Sequence, residues 1–176
     1  MQKRSTRIKS LAVSAMLCAL GVVLLGVGAL VEVLDLSTAV IASLLCVYAV
    51  IELRGIYPWM LWLTTSILAL LLLPLKTPAL FYTLFAGFYP ILKEKLERLP
   101  RAPGYVLKLV VFHLSLGGIV LVLKLFLPEA LETYGMNWML WALYGLCLVC
   151  FVVYDLALTR LITFYLLRFR RYFRIR

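Results

Sequence analysis

The sequence has few of the residues that catalysis and metal binding require. It contains one histidine, His113, and only eight acidic residues in 176. It has no phosphate-binding loop, no metalloprotease motif and no recognisable hydrolase motif. A common metal site needs a second histidine or a set of acidic or cysteine ligands, which this chain does not present as a motif. The composition therefore disfavours an enzyme, and we expect no metal and no cofactor.

The scarce acidic residues and the eighteen basic ones occupy different parts of the chain. The basic clusters are Lys3, Arg4, Arg7 and Lys9, then Lys93, Lys95, Arg98 and Arg101, then Arg168, Arg170, Arg171, Arg174 and Arg176. The connections between them carry Glu32, Asp35, Glu129 and Glu132. Because basic residues are retained in the cytoplasm during insertion, both termini and the central loop are predicted to be cytoplasmic. No nucleic-acid recognition module accompanies the charge, so we expect no nucleic-acid partner.

Apolar residues dominate the rest of the sequence. The chain is 65% hydrophobic, more than a soluble domain of this length can bury, so membrane lipid is its expected surrounding. About 20 residues are needed per crossing. The prediction is an all-α polytopic membrane protein, a single six-transmembrane-helix bundle. Its expected helices are 8–33, 37–53, 57–73, 78–92, 105–127 and 137–167, with a basic cytoplasmic loop at 93–103 and a basic cytoplasmic tail at 168–176.

The fourth expected helix has unusual features. It is short for a crossing, and Gly87 and Pro90 predict a kink near its inner end. Beyond it, the sequence favours a solvated helical spur, because two oppositely charged pairs are four residues apart. These pairs are Lys93 with Glu97 and Glu94 with Arg98.

A ligand pocket is one interpretation of the aromatic residues near the predicted outer surface. Phe81 and Phe85 recur at four-residue spacing on the fourth expected helix, and Trp138 and Trp141 begin the sixth. Aromatic walls with a few polar groups are typical of small-molecule sites. The acidic residues that would favour a neutral or cationic ligand there are Glu32, Asp35 and Glu129. Simple packing or interfacial anchoring is the alternative interpretation.

Asp155 is the most unusual ionisable residue, because it lies inside a long apolar segment. A carboxylate at such a position costs roughly 2.5 to 3.5 kcal/mol on insertion scales unless it is paired or hydrated. Arg160 follows five residues later and is the expected partner in a buried polar pair. A coupling or gating role is the alternative. For His113, on the fifth helix, we expect an interhelical hydrogen bond.

A stripe of small residues marks the first expected helix. Ala12, Ala15 and Ala19 recur at three- and four-residue spacing, and small residues allow another helix to approach closely. This stripe resembles the first helix of S components, the substrate-binding membrane subunits of energy-coupling factor transporters. The number of segments and the short loops are similar to that family too.

The resemblance implies a function and partners. It implies a multi-pass subunit of the bacterial inner or plasma membrane that binds a small vitamin-like micronutrient. A coupling subunit and separate ATPases would supply energy, and the small-residue stripe would contact the coupling subunit. No vitamin-specific signature accompanies the resemblance. A non-catalytic membrane scaffold of the cell envelope, similar to the rod-shape protein MreD, is the alternative function.

Overall fold

The computed structural model describes residues 2–53, 55–126 and 137–169, and these residues form helices joined by turns, with no strand among them. The all-α prediction is confirmed. Among the described residues, four stretches are long and apolar enough to cross a membrane, which is consistent with a membrane protein. These stretches are Arg7–Leu30, Asp35–Leu53, Pro103–Val122 and Trp141–Leu167.

The described residues contain seven α-helices, which we number in chain order. They are α1 (Gln2–Leu30), α2 (Asp35–Tyr48), α3 (Tyr57–Leu72), α4 (Thr77–Phe81), α5 (Tyr89–Leu96), α6 (Arg101–Phe126) and α7 (Asn137–Phe164). Three π-helical turns extend helices at their carboxyl ends: Ala49–Leu53 after α2, Tyr82–Ala86 after α4 and Tyr165–Phe169 after α7. The count of six crossings stays a prediction, because α3 is a shorter apolar helix and the fourth expected helix is divided between α4 and α5.

The chain forms two compact units, one running to Val111 and the other starting at Phe112, within α6. In the first unit α1 packs against both α2 and α3, and α4 lies against α2. Its core is built largely from small side chains, which let helix backbones approach closely. The buried alanines of this core are Ala29, Ala39, Ala42, Ala49, Ala69, Ala79 and Ala86.

α1 and α2 approach each other closely at Gly28. A β-carbon placed on Gly28 would overlap the hydroxyl oxygen of Thr38. That hydroxyl is held in place because it donates to the backbone carbonyls of Leu34, at 3.0 Å, and Asp35, at 3.1 Å. Only glycine therefore fits at this position of α1.

The fourth expected helix is interrupted, which confirms the predicted kink. In the π-helical turn, the Gly87 amide donates to the Tyr82 carbonyl at 2.7 Å instead of to the Thr83 carbonyl, its partner in a regular α-helix. The Thr83 carbonyl accepts a hydrogen bond from the indole Nε1 of Trp62 at 3.2 Å. A turn at Gly87 and Phe88 then leads into α5.

The second unit contains α7 and the part of α6 that follows Val111. Phe112 stacks on Phe151, with ring centroids 4.8 Å apart. His113 Nε2 lies 2.7 Å from the Tyr144 hydroxyl, so the predicted interhelical hydrogen bond of His113 is confirmed. The two helices are thus joined by an aromatic contact and a polar contact one residue apart on α6.

Candidate functional site

The small-residue stripe lies on the exposed side of α1. Ala12, Ala15 and Ala19 are all exposed. The buried side of the same helix, which packs against α2 and α3, is formed by other residues, including Ser14, Cys18 and Leu25. Packing within the first unit therefore does not use the alanine face. It remains accessible to a second helix.

Three residues of the expected ligand pocket, Asp35, Phe81 and Phe85, lie in the first unit. Phe81 is half-buried and packs against the core of the first unit. Phe85, also half-buried, lies against Tyr89 with ring centroids 5.5 Å apart. Asp35 is partly buried at the start of α2. Their side chains contribute to packing within the first unit.

The remaining pocket residues lie in the second unit or outside the described residues. Trp141 belongs to the second unit, is exposed and contacts Tyr144 edge to face. The side chains of Glu32 and Trp138, and the whole of Glu129, lie outside the described residues. A single pocket formed by all seven residues therefore stays a prediction.

The expected Asp155–Arg160 pair also stays a prediction. Asp155 is partly buried on α7, and Arg160 is exposed. The Thr159 hydroxyl donates to the backbone carbonyl of Asp155 at 2.9 Å. This bond ties the Thr159 side chain to the backbone of its own helix.

No family model matches this chain, and no curated protein or solved structure is significantly similar to it. Functional inference therefore rests on the residues themselves.

The first unit contains a buried network of polar side chains that the sequence patterns did not predict. The Tyr82 hydroxyl lies 3.1 Å from the sulfur of Cys46, and the Thr65 hydroxyl donates to the sulfur of Cys18 at 3.4 Å. All four side chains are buried, and Tyr82 also interacts with Thr65. The network connects α1, α2, α3 and the π-helical turn after α4. The sequence offers one signal, because Thr65 and Tyr82 are polar residues within mainly apolar segments.

The network predicts a moderate cost for Tyr82→Phe. This change removes the buried hydroxyl while keeping the ring, so we expect a loss of about 1 kcal/mol, seen as a melting temperature lower by roughly 3 °C. Thermal unfolding in lipid nanodiscs measures it. Tyr105→Phe removes an exposed tyrosine hydroxyl and serves as the matched control. Equal melting temperatures for the two variants would show that the network adds nothing to stability.

An ion cluster lies at the end of the first unit where α5 and α6 meet. Both predicted pairs form: Lys93 with Glu97 at 2.9 Å and Arg98 with Glu94 at 2.6 Å. The predicted solvation is wrong for Lys93, whose side chain is 0% exposed. It is covered because α5 packs against α2 and both of the π-helical turns in this unit. A buried ammonium of this kind is a stronger indication of function than an exposed charge.

Proposed function

We propose that this chain is a membrane-embedded substrate-binding subunit for uptake of a small micronutrient, energised by separate ATPase and coupling subunits. In this proposal it forms six membrane crossings in a bacterial cell membrane, with both termini in the cytoplasm. The observation that supports it most is the exposed alanine face of α1, formed by Ala12, Ala15 and Ala19.

The shape of this face suits contact with another helix. Larger side chains, Met16 and Leu20, are exposed next to the alanines, so the alanines form the floor of a shallow groove. In a membrane, lipid competes equally well for apolar surface, and association instead depends on close packing of backbones across small residues. A coupling subunit that presents an apolar helix fits this groove.

The sequence is also consistent with substrate binding and ATP hydrolysis being carried out by separate subunits. Uptake against a gradient needs an energy source, and the chain contains no phosphate-binding loop. A separate ATPase is therefore part of the proposal. In this proposal the ligand enters from the outer side, close to Asp35, the first residue of α2, and Phe81, the last residue of α4.

Native purification in mild detergent followed by mass spectrometry tests the proposal. We expect ATPase and coupling subunits to co-purify, together with a small molecule that denaturation releases. Recovery of the protein with neither subunits nor ligand, from cells that transport the usual micronutrients, would contradict it.

A scaffold of the cell envelope is the second candidate, and the packing of the aromatic residues favours it. Phe85 lies against Tyr89, and Tyr82 and Tyr89 are almost fully buried. A scaffold needs a filled core and a stable partner, not a ligand site. Co-purification of cell-envelope proteins without a small molecule would favour the scaffold.

The alanine face predicts a strong effect of bulky substitution. Ala15→Trp or Ala19→Trp would fill the groove, so we expect at least a tenfold loss of partner recovery without loss of membrane insertion. Quantitative mass spectrometry of the purified complex measures this ratio. Leu71→Trp, at an exposed position of α3, is the control and should leave recovery unchanged. Equal recovery for all variants would remove the alanine face as the partner contact.

A further inference from the structure

Two lysine ammonium groups converge on one carboxylate oxygen at the junction of α5 and α6. Oε1 of Glu97 lies 2.9 Å from Nζ of Lys93 and 3.8 Å from Nζ of Lys108. The two lysines come from different helices, so the carboxylate joins α5 to α6. This arrangement is what an anion with several acceptor oxygens requires, since each oxygen can accept from a different ammonium.

The three groups differ in their access to the surroundings. Lys93 is 0% exposed and Lys108 12%, whereas Glu97 is 40% exposed. The carboxylate is thus the outermost member, and rotation of its side chain would open a path to both ammonium groups. Removing the anion without replacing it would be costly, because a buried cation needs a negative partner.

The charge around the cluster favours a further anion. Residues 93–108 contain five basic and two acidic side chains. Of the two acids, Glu94 is bound by Arg98, at 2.6 Å. The second, Glu97, therefore serves both lysines of the cluster. The local field attracts anions to this end of the unit.

An aromatic residue places this end near lipid headgroups. The ammonium of Lys95 lies 5.5 Å from the ring centroid of Trp59, in the first turn of α3. Tryptophan next to lysine is typical of the membrane–water interface. Basic pockets between helices at this depth bind the headgroups of anionic lipids.

We propose that Lys93 and Lys108 form a binding site for a phosphate group, supplied by the headgroup of an anionic phospholipid, and that Glu97 occupies the site when no phosphate is bound. The carboxylate and the phosphate compete for the same two ammonium groups. The site is independent of the proposed uptake function, since it lies at the opposite end of α2 from Asp35.

Replacement of the carboxylate by an amide tests the competition. In nanodiscs of phosphatidylcholine, whose phosphate is already neutralised by its own choline cation, Glu97→Gln should unfold at a lower temperature than the wild type, because two ammonium groups lose their shared anion. In nanodiscs that contain phosphatidylglycerol, whose phosphate has no cation of its own, this phosphate should fill the vacated place and raise the melting temperature of Glu97→Gln by about 5 °C more than that of the wild type. Glu94→Gln breaks the exposed pair with Arg98 and should show no such additional shift.

A second arm identifies the source of the phosphate. Inorganic phosphate added to Glu97→Gln in phosphatidylcholine nanodiscs should give less than a quarter of the shift that phosphatidylglycerol gives. A larger response to inorganic phosphate would preserve the phosphate site but overturn the assignment to a lipid headgroup.

Removal of one ammonium group completes the test. Lys108→Gln combined with Glu97→Gln should abolish the additional shift, whereas Lys95→Gln combined with Glu97→Gln removes an exposed charge at the same end and should retain it. An additional shift that survives Lys108→Gln, or no additional shift for Glu97→Gln in either lipid or phosphate, would overturn the proposal and leave the cluster as an ion pair that only joins two helices.

Discussion

Gly28→Ala is expected to cost about 3 kcal/mol, the upper part of the usual range for overpacking a closely packed interface. The added methyl would overlap the Thr38 hydroxyl oxygen and lie 3.1 Å from the β-carbon of Thr38. The β-carbon moves only if the backbone of α2 moves, so a change of rotamer alone does not remove the strain. The expected result is a melting temperature lower by at least 6 °C, measured by thermal unfolding in nanodiscs.

Two further variants separate packing from other effects of the alanine. Gly26→Ala lies two residues earlier on α1, where an added β-carbon meets nothing within 4 Å. It should leave stability unchanged or slightly raised, since alanine favours a helix over glycine by up to about 1 kcal/mol. In Gly28→Ala with Thr38→Ala, the hydroxyl and methyl of Thr38 are gone, and at least half of the lost stability should return. Equal melting temperatures for Gly26→Ala and Gly28→Ala would refute the close crossing.

The general class of the fold was predictable because it depends on composition and short-range spacing. Long apolar stretches predict helices whatever their neighbours are, and among the described residues four have membrane-spanning length. The kink at Gly87 was predictable because glycine and proline weaken a helix locally. The pairs Lys93–Glu97 and Glu94–Arg98 follow from the helical repeat, and both form.

Burial was not predictable in the same way, because it depends on which helix covers which face. The helical repeat places Lys93 next to Glu97 but does not reveal that α5 packs against α2 and its π-helical turn. The same limit applies to Phe81 and Phe85. Their four-residue spacing places both on one face of the fourth expected helix, but it does not show whether that face packs against other helices or lines a ligand pocket.

Two stripes of small residues in this protein show that spacing alone does not predict burial. The three- and four-residue intervals of the alanine face on α1 recur on α2 and at the start of its π-helical turn, at Ala39, Ala42, Cys46 and Ala49. The stripe on α2 is buried, whereas Ala12, Ala15 and Ala19 are exposed. The pattern therefore predicts close helix contact in both helices, and only the structure shows which stripe the first unit uses internally. The exposed stripe is the one available to a partner.

Gly87→Ala is expected to be as damaging as Gly28→Ala, for a reason that combines packing with the altered hydrogen bonds of the π-helical turn. An added β-carbon would lie 2.6 Å from Cδ1 of Trp62 and 2.8 Å from the carbonyl oxygen of Tyr82. To make room, Trp62 must move away from the Thr83 carbonyl, which loses its hydrogen bond with the indole. We expect a cost of about 3 kcal/mol, detected as a lower melting temperature and a shift in tryptophan fluorescence.

Trp62→Phe separates the two contributions. It removes the indole donor and keeps an aromatic ring, so it should cost about 1 kcal/mol. Gly117→Ala, on α6, adds the same methyl where nothing lies within 4 Å and should cost nothing. If the melting temperature of Gly87→Ala is no lower than that of Trp62→Phe, the turn tolerates a β-carbon. The loss of the indole hydrogen bond would then explain the whole effect of Gly87→Ala. A larger loss of stability for Gly87→Ala would instead mean that glycine is needed at this position. Without a side chain at residue 87, Trp62 can reach the Thr83 carbonyl, to which the Gly87 amide does not donate.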